Sequence, residues 1–465
     1  MILELLAIYA SIILGCIIST TCLIFLGKGW GPLPHYYLRL IAWMQDFFEK
    51  VYPESDEAPW PAIIKKTPNS YLSRASSSSS AQFKFLLQPR DHLEISIDAI
   101  QSGIEAIVQD NVSSIFHPTP SYSETLLRTS PLPHWSTAQK AVFYVSLFFR
   151  YGILFPTRLC LLLISFVFLA CAGVFAVNKK LSDREKTWVG IVYCRLYCCA
   201  MGVVATYKNT HLRPKGSGVA VSNHLTPSDV QVLFAGTPHG SQHGFVVTGQ
   251  KHSGIIGSLE TLAGKVAPTY WVERKNADGR KEFLAEIVKK SKFGAPVLLF
   301  PEGYCANNTQ VLQFRKAIFQ DGVKIYPMAV KHDSRFGDAF WYENDFHSYV
   351  LRIMTSWATP YDVTYLAPMT RLPHETDTEF AARTQFAISD VVGVPASDFN
   401  GSMWYSKSEQ RRVLEQQKAM CATALLSHLK DTAEKIDSED GYFSLTTSAS
   451  SSHCSSPTAI SSMHY

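Results

Sequence analysis

Residues 5–27 form an unbroken run without one charged side chain, bounded by Glu4 and Lys28. No other local pattern constrains a fold as tightly. A backbone moved out of water must satisfy every N–H and C=O internally, and a helix does so within a single segment. A helical span needs about 20 apolar residues, and this run is long enough. It lacks the basic leading stretch of a cleavable signal and carries Glu4 instead, so it reads as an anchor covering residues 1–28. A second apolar region follows at 141–177, interrupted by Arg150, Pro156 and Arg158 and followed by Asn178, Lys179 and Lys180. Its last part, 159–177, can cross a bilayer alone, and the whole region also fits a re-entrant hairpin returning to the same face. Basic residues flank both of its ends, so charge bias does not select an orientation. Two such segments in one chain weaken the reading of either as a buried helix of a soluble protein.

The stretch between them, residues 29–140, is mixed: aromatics and proline early, a serine run at 76–80, then a helix predicted over 91–110. It reads as a loop or regulatory region, partly disordered. Residues 437–465 are rich in Ser and Thr with little to bury, which predicts a disordered tail. The formal charge is +4 and the pI about 8.4, without the concentrated Lys/Arg stripe of a dedicated nucleic-acid binder. Positive charge beside apolar segments suits a membrane surface instead. The ten cysteines lie in apolar stretches (Cys16, Cys22, Cys160, Cys171), in the cluster Cys194, Cys198 and Cys199, or singly. None has the C-x-x-C spacing of a zinc knuckle, and no regular framework predicts disulfides, so no metal site is read. The cluster is a candidate for palmitoylation.

From residue 187 onward the pattern changes. A weakly amphipathic stretch at 188–207 leads to a glycine turn at 216–218. Apolar runs at 219–222, 244–247, 296–300, 323–326 and 363–366 then read as strands. Residues 278–292 read as an amphipathic helix with Phe283, Leu284, Ile287 and Val288 on one face. This alternation of strand and helix predicts an α/β domain over 188–430.

The chemistry concentrates at 223–229, Asn-His-Leu-Thr-Pro-Ser-Asp, straight after the strand at 219–222. Thr226 suits a helix N-cap, Pro227 the first helical position, and Asp229 the third position of a capping box. His224 then sits on a loop at a strand's carboxyl end, with Asp229 in the first turn of the next helix. A carboxylate beside a neutral imidazole fixes its tautomer and stabilises the imidazolium, which makes the histidine a usable general base. A lone loop histidine is more often plain polar surface, so the pattern needs company. It has company in three further blocks. Arg274 closes the apolar run before it, and its planar fork suits a phosphate dianion. The strand at 296–300 ends in Pro301, Glu302 and Gly303. There the acid can bond polyol hydroxyls and the glycine lets backbone approach a ligand. A proline interrupts the strand-like run at 323–330 at Pro327, which alone would mean only an edge strand or a bulge. Each of these has an ordinary structural explanation by itself.

Together, in order, the four blocks resemble the signature of the glycerolipid acyltransferase superfamily, the 1-acylglycerol-3-phosphate acyltransferase family. Arg315 and Lys316, Phe336 to Trp341, Met354 to Trp357 and Pro368 to Arg371 make the chain most similar to the endoplasmic-reticulum type of glycerol-3-phosphate acyltransferase. The double apolar region before the domain fits as well. The resemblance covers residues 140–420 well and the first 140 only loosely.

That resemblance implies a mixed sheet flanked by helices, preceded by N-terminal transmembrane helices. It implies transfer of an acyl group from acyl-CoA, as co-substrate and with no cofactor, to the sn-1 hydroxyl of glycerol-3-phosphate, giving lysophosphatidic acid. His224 is the implied base and Asp229 its partner. Asn223, Thr226, Arg274, Glu302, Gly303, Tyr304, Lys316 and Pro327 would line the substrate site. The partners are acyl-CoA, glycerol-3-phosphate and the bilayer. The place is the endoplasmic reticulum membrane, multi-pass or hairpin-anchored, with the site facing the cytosol. Two departures stand beside the acceptor pocket: Tyr304 where the family usually has threonine, and Ala317 where a glycine usually follows the basic pair. Tyr304 is expected to narrow the pocket against larger acceptors. A lysophosphatidic acid or other lysophospholipid acyltransferase is the rival within the class, and a catalytically silent membrane adaptor the rival outside it. A serine esterase is excluded by the lack of a G-x-S-x-G elbow.

Overall fold

The N-terminal apolar run is helical throughout, as α1 (Ile2–Phe25). In the computed structural model the described residues are 2–50, 115–116, 118–119, 135–250, 254–266, 269–272, 277–343 and 345–401, all within one compact unit. The serine run, the helix predicted over 91–110, Arg274 and the C-terminal tail lie outside them. Helix α2 (Leu33–Lys50) occupies the segment read from sequence as the start of a mixed loop. Tyr37, Leu38, Ile41 and Ala42 recur at helical spacing and pack against Phe336, Trp357 and Ala358. That tertiary contact outweighs the loop-like composition of the segment.

The second apolar region starts at a capping box between Ser136 and Gln139. It runs as α3 (Thr137–Phe149), a π turn (Arg150–Leu154) and α4 (Phe155–Asn178), with no turn of the kind a hairpin needs. Both this run and α1 are long and apolar enough to cross a membrane. Arg150 and Arg158, which look like interruptions in the sequence, leave the helix intact because both are buried against the domain. Pro156 falls in the first turn of α4, just after the π turn.

Helix α5 (Asp183–Ala200) opens on a second capping box, Ser182 with Glu185, and leads into the sheet. The described strands are β1 (Val203–Lys208), β2 (Val219–Ser222), β3 (Val246–Gln250), β4 (Thr269–Val272), β5 (Val297–Leu299), β6 (Ile325–His332) and β7 (Thr359–Tyr365). They form one mixed sheet in the order β1-β7-β6-β2-β5-β3-β4, in which β6–β7 is the antiparallel pair. β2 sits centrally and is buried on both faces, as parallel strands under helices are. The alternation of strand side chains sends Ala220 to one face and Val219 and Val221 to the other. On the Ala220 face pack α5 and α6 (Asp229–Ala235), through Ile191, Val232 and Leu233. On the other pack α8 (Ala277–Lys290) and α10 (Asp377–Val392), through Ile287, Phe380 and Ile388. Between them in sequence come α7 (Gly254–Val266) and α9 (Phe346–Thr355).

One expectation needs correction. Cys194 and Cys198 face this core and are buried, and burial pushes both thiols up, so neither is placed for palmitoylation. Pro327 lies in central β6, not at an edge. Its carbonyl accepts from Leu366 N–H at 3.0 Å, just past the end of β7, so its missing donor falls where that ladder stops.

Candidate active site

β2 delivers the chain to the carboxyl end of the sheet, where residues 223–228 form a loop before α6 begins at Asp229. Asn223, at 2 % exposure, ties this loop to the neighbouring strand. Its Nδ2 donates to Val330 O at 2.8 Å and its Oδ1 accepts from Val330 N–H at 2.9 Å. The amide is thereby spent on the scaffold, which corrects its reading as a substrate contact.

Asp229, fully buried, is the hub of the loop. Its Oδ2 meets His224 Nδ1 at 2.9 Å and accepts from the backbone N–H groups of Leu225 at 2.6 Å and Thr226 at 3.0 Å. The expected capping box forms in half: Asp229 accepts from Thr226 N–H as the box requires, Thr226 Oγ1 accepts from Ser228 N–H at 3.3 Å, and the same carboxylate also orients the imidazole. Thr226 is also fully buried, and its Oγ1 shares a hydrogen bond of 2.5 Å with Tyr349 Oη. Its reading as a substrate-binding residue is corrected too.

The turn after β5 grips the other side of His224. Glu302, 1 % exposed, accepts from His224 N–H at 3.0 Å and from Leu312 N–H at 3.1 Å. Ala306 N–H in turn donates to His224 O at 2.9 Å. Burial pushes the Glu302 carboxyl up to about 8, against the pull of the His224 N–H that it accepts. Both of its oxygens are engaged with backbone, so Glu302 holds the main chain of His224 instead of reaching glycerol hydroxyls. Gly303 has φ +75°, and the Arg315 guanidinium lies 3.0 Å from where a Cβ would stand. The positive φ is what requires glycine there, since the exposed Arg315 side chain could move aside. Tyr304 lies against Gly401, with the Arg315 guanidinium 5.6 Å from its ring centroid. Lys316 is exposed and opens a short 3₁₀ turn, Lys316–Ile318.

Two residues that sequence reasoning passed over touch the imidazole directly. Phe300, at the end of β5, stacks on it with centroids 4.2 Å apart and planes 19° from parallel. Cys305 Sγ lies 3.4 Å from Nε2, the nitrogen turned away from Asp229. The signal for both was present, since they flank Pro301, Glu302 and Gly303 in the same turn. Burial alone would push His224 down. The Cys305 sulfur and the bond to Asp229 outweigh it and hold the imidazole well above the usual histidine range. The result is an imidazole fixed at Nδ1 by a buried carboxylate, stacked on an aromatic ring, and able to exchange a proton at Nε2.

The model of the family described as Acyltransferase matches residues 204–331, which contain this whole site. Glycerol-3-phosphate acyltransferase 3 of Xenopus laevis is 36% identical over 330 residues, 68% of this chain and 72% of that protein. The Homo sapiens protein of the same name is 34% identical, over 68% of this chain and 74% of its own. Glycerol-3-phosphate acyltransferase 4 of Mus musculus is 31% identical over 402 residues, 82% of this chain and 86% of that one. Among solved structures, the 1-acyl-sn-glycerophosphate acyltransferase PlsC of Thermotoga maritima superposes with a TM-score of 0.37 at 16% identity, over 51% of this chain and 95% of that chain.

Proposed function

Because the chain belongs to the glycerolipid acyltransferase family and is an acyltransferase, we propose that it moves a fatty acyl group from acyl-CoA to the sn-1 hydroxyl of glycerol-3-phosphate. The product is lysophosphatidic acid. The observation that carries this reading is the 2.9 Å contact between His224 and buried Asp229 at the carboxyl end of β2. It is supported by relatives named for glycerol-3-phosphate acylation.

In the proposed step His224 Nε2 takes the proton of the sn-1 hydroxyl while Asp229 stabilises the imidazolium. The oxygen attacks the thioester carbonyl, the C–S bond breaks, and the coenzyme A thiolate leaves and takes the proton back from His224. No enzyme nucleophile is needed, because the acceptor brings its own hydroxyl. Arg274 and Lys316 hold the acceptor phosphate, the former bidentately. The proposed substrates, acyl-CoA and glycerol-3-phosphate, are cytosolic, and the proposed site therefore faces the cytosol at the endoplasmic reticulum membrane.

The decisive test is an acceptor panel in purified membranes with labelled palmitoyl-CoA. Glycerol-3-phosphate is expected to give the highest kcat/KM. Its affinity must come from phosphate and hydroxyl contacts, whereas a lysophospholipid needs an apolar channel to gain about 0.8 kcal/mol per buried methylene. Better acylation of lysophosphatidic acid than of glycerol-3-phosphate would overturn the assignment.

A further inference from the structure

The loop that carries His224 is held by more than its own strand and helix. α9 starts at Asp345, which caps it by accepting from Ser348 N–H at 2.8 Å. One turn in, it presents Tyr349, 1 % exposed, whose ring packs among Trp341 and Phe346. The hydroxyl of Tyr349 bonds Thr226 Oγ1, two residues beyond the base. Burial pushes this phenol up, so it stays protonated and keeps a donor for that bond. A second phenol, Tyr197 of α5, meets Ser228 Oγ at 3.2 Å on the same loop.

The far end of α9 is fixed as firmly. The last carbonyls of a helix have no partner within it. Here Arg158 of α4 supplies partners, donating to Met354 O at 2.9 Å, Ser356 O at 2.6 Å and Trp357 O at 2.7 Å, while Arg150 donates to Thr355 O at 3.2 Å. Cationic guanidinium at the negative end of a helix is also favourable electrostatically. Phe155, Leu162 and Phe166 of α4 complete the seam by packing on Tyr197, Tyr349, Ile353 and Met354.

We propose that Tyr349 is a positioning residue for acyl transfer: through Thr226 it holds the His224 loop in register, and α4 holds Tyr349 in turn by clamping the end of α9. The proposal rests on the reading of His224 as the base. It assigns the contact to rate and not to affinity, because Tyr349 and Thr226 are both buried and bonded to each other.

The test uses the full chain in membranes, with Tyr349→Phe, Thr226→Val and the double variant assayed beside His224→Ala. Tyr349→Phe removes one oxygen and keeps the ring, and a thermal melt of each variant sets the assay temperature well below unfolding. Each single variant is expected to lose about 10- to 100-fold in kcat, since small misplacements of a reacting group cost that much. KM for both substrates should stay within about twofold. The double variant should be no slower than the slower single one, because both remove the same bond. Wild-type kcat in Tyr349→Phe, a loss confined to KM, or losses that multiply in the double variant would each overturn the proposal. Full activity in His224→Ala would instead sink the base assignment on which it rests.

Discussion

At His224 two neighbours meet the two ring nitrogens. Asp229 fixes the imidazole at Nδ1, while the sulfur of Cys305 rests at Nε2, the nitrogen that receives the acceptor's proton in the proposed step. Only the neutral ring can take that proton, and the folded protein holds the ring's pKa above the usual histidine range. The acid limb of kcat/KM, which reports groups of the free enzyme, is therefore expected above pH ~6.5. Cys305→Ala removes an influence that raises the imidazole, so the limb should move to lower pH. A pH–rate series on both proteins checks the sign, and a limb that stays put or moves up contradicts it. General-base loss in His224→Ala itself should cost about 10²–10⁴-fold or more.

At the scale of elements, the arginines of the second apolar helix change its meaning. Arg158 is 6 % exposed and its guanidinium is committed to the carbonyls ending α9. Arg158→Leu keeps the helix apolar but takes the donor from the carbonyls of Met354 and Ser356, while Trp357 O keeps the Tyr37 hydroxyl. Hydrogen bonds to charged groups contribute about 1.5–3 kcal/mol each, so a loss of at least about 3 kcal/mol is expected. Thermal melting in detergent reads this as a lower midpoint. Arg158→Lys, a point charge without the fork, should recover part of it. An unchanged midpoint in Arg158→Leu would mean that the clamp contributes nothing to stability.

Over the whole molecule, α4 lies along the domain instead of standing clear of it. Arg158 holds one end to α9, and a Cβ at Gly173, near the other end, would meet Leu262 of α7 at 2.8 Å. The opposite face remains apolar and exposed at Leu163, Val167 and Val174, as does α1 at Leu5, Ile8 and Ile12. Apolar area this extensive marks a membrane-facing surface. With both ends of α4 docked on the domain and the site proposed on the cytosolic face, the Asn-Val-Ser sequon at Asn111 is expected to be unmodified. A mobility shift between wild type and Asn111→Gln after glycosidase treatment would show a crossing. Asn307 also begins an N-x-T sequence. It is 4 % exposed and its Oδ1 accepts from Thr309 Oγ1 at 2.6 Å, so it is closed to glycosylation on either side.

Sequence alone determined what depends on local pattern. The two apolar runs, the strands ending at the catalytic loop and the F-P-E-G turn, the amphipathic α8 and the pairing of His224 with Asp229 all follow from spacing within a few residues. What only the tertiary structure decided are the partners of side chains that turn inward. Asn223, Thr226 and Glu302 look like ligand contacts in a motif, yet each is buried against distant backbone or side chain at Val330, Tyr349 and His224. Arg150 and Arg158 look like breaks in a membrane segment, yet they cap a helix about 200 residues away in sequence. A buried polar group must find a partner or pay the cost of desolvation, and composition cannot say which of many distant groups will arrive beside it. Folding brings those groups together, and in doing so it makes three apparent ligand contacts into the frame that holds one histidine.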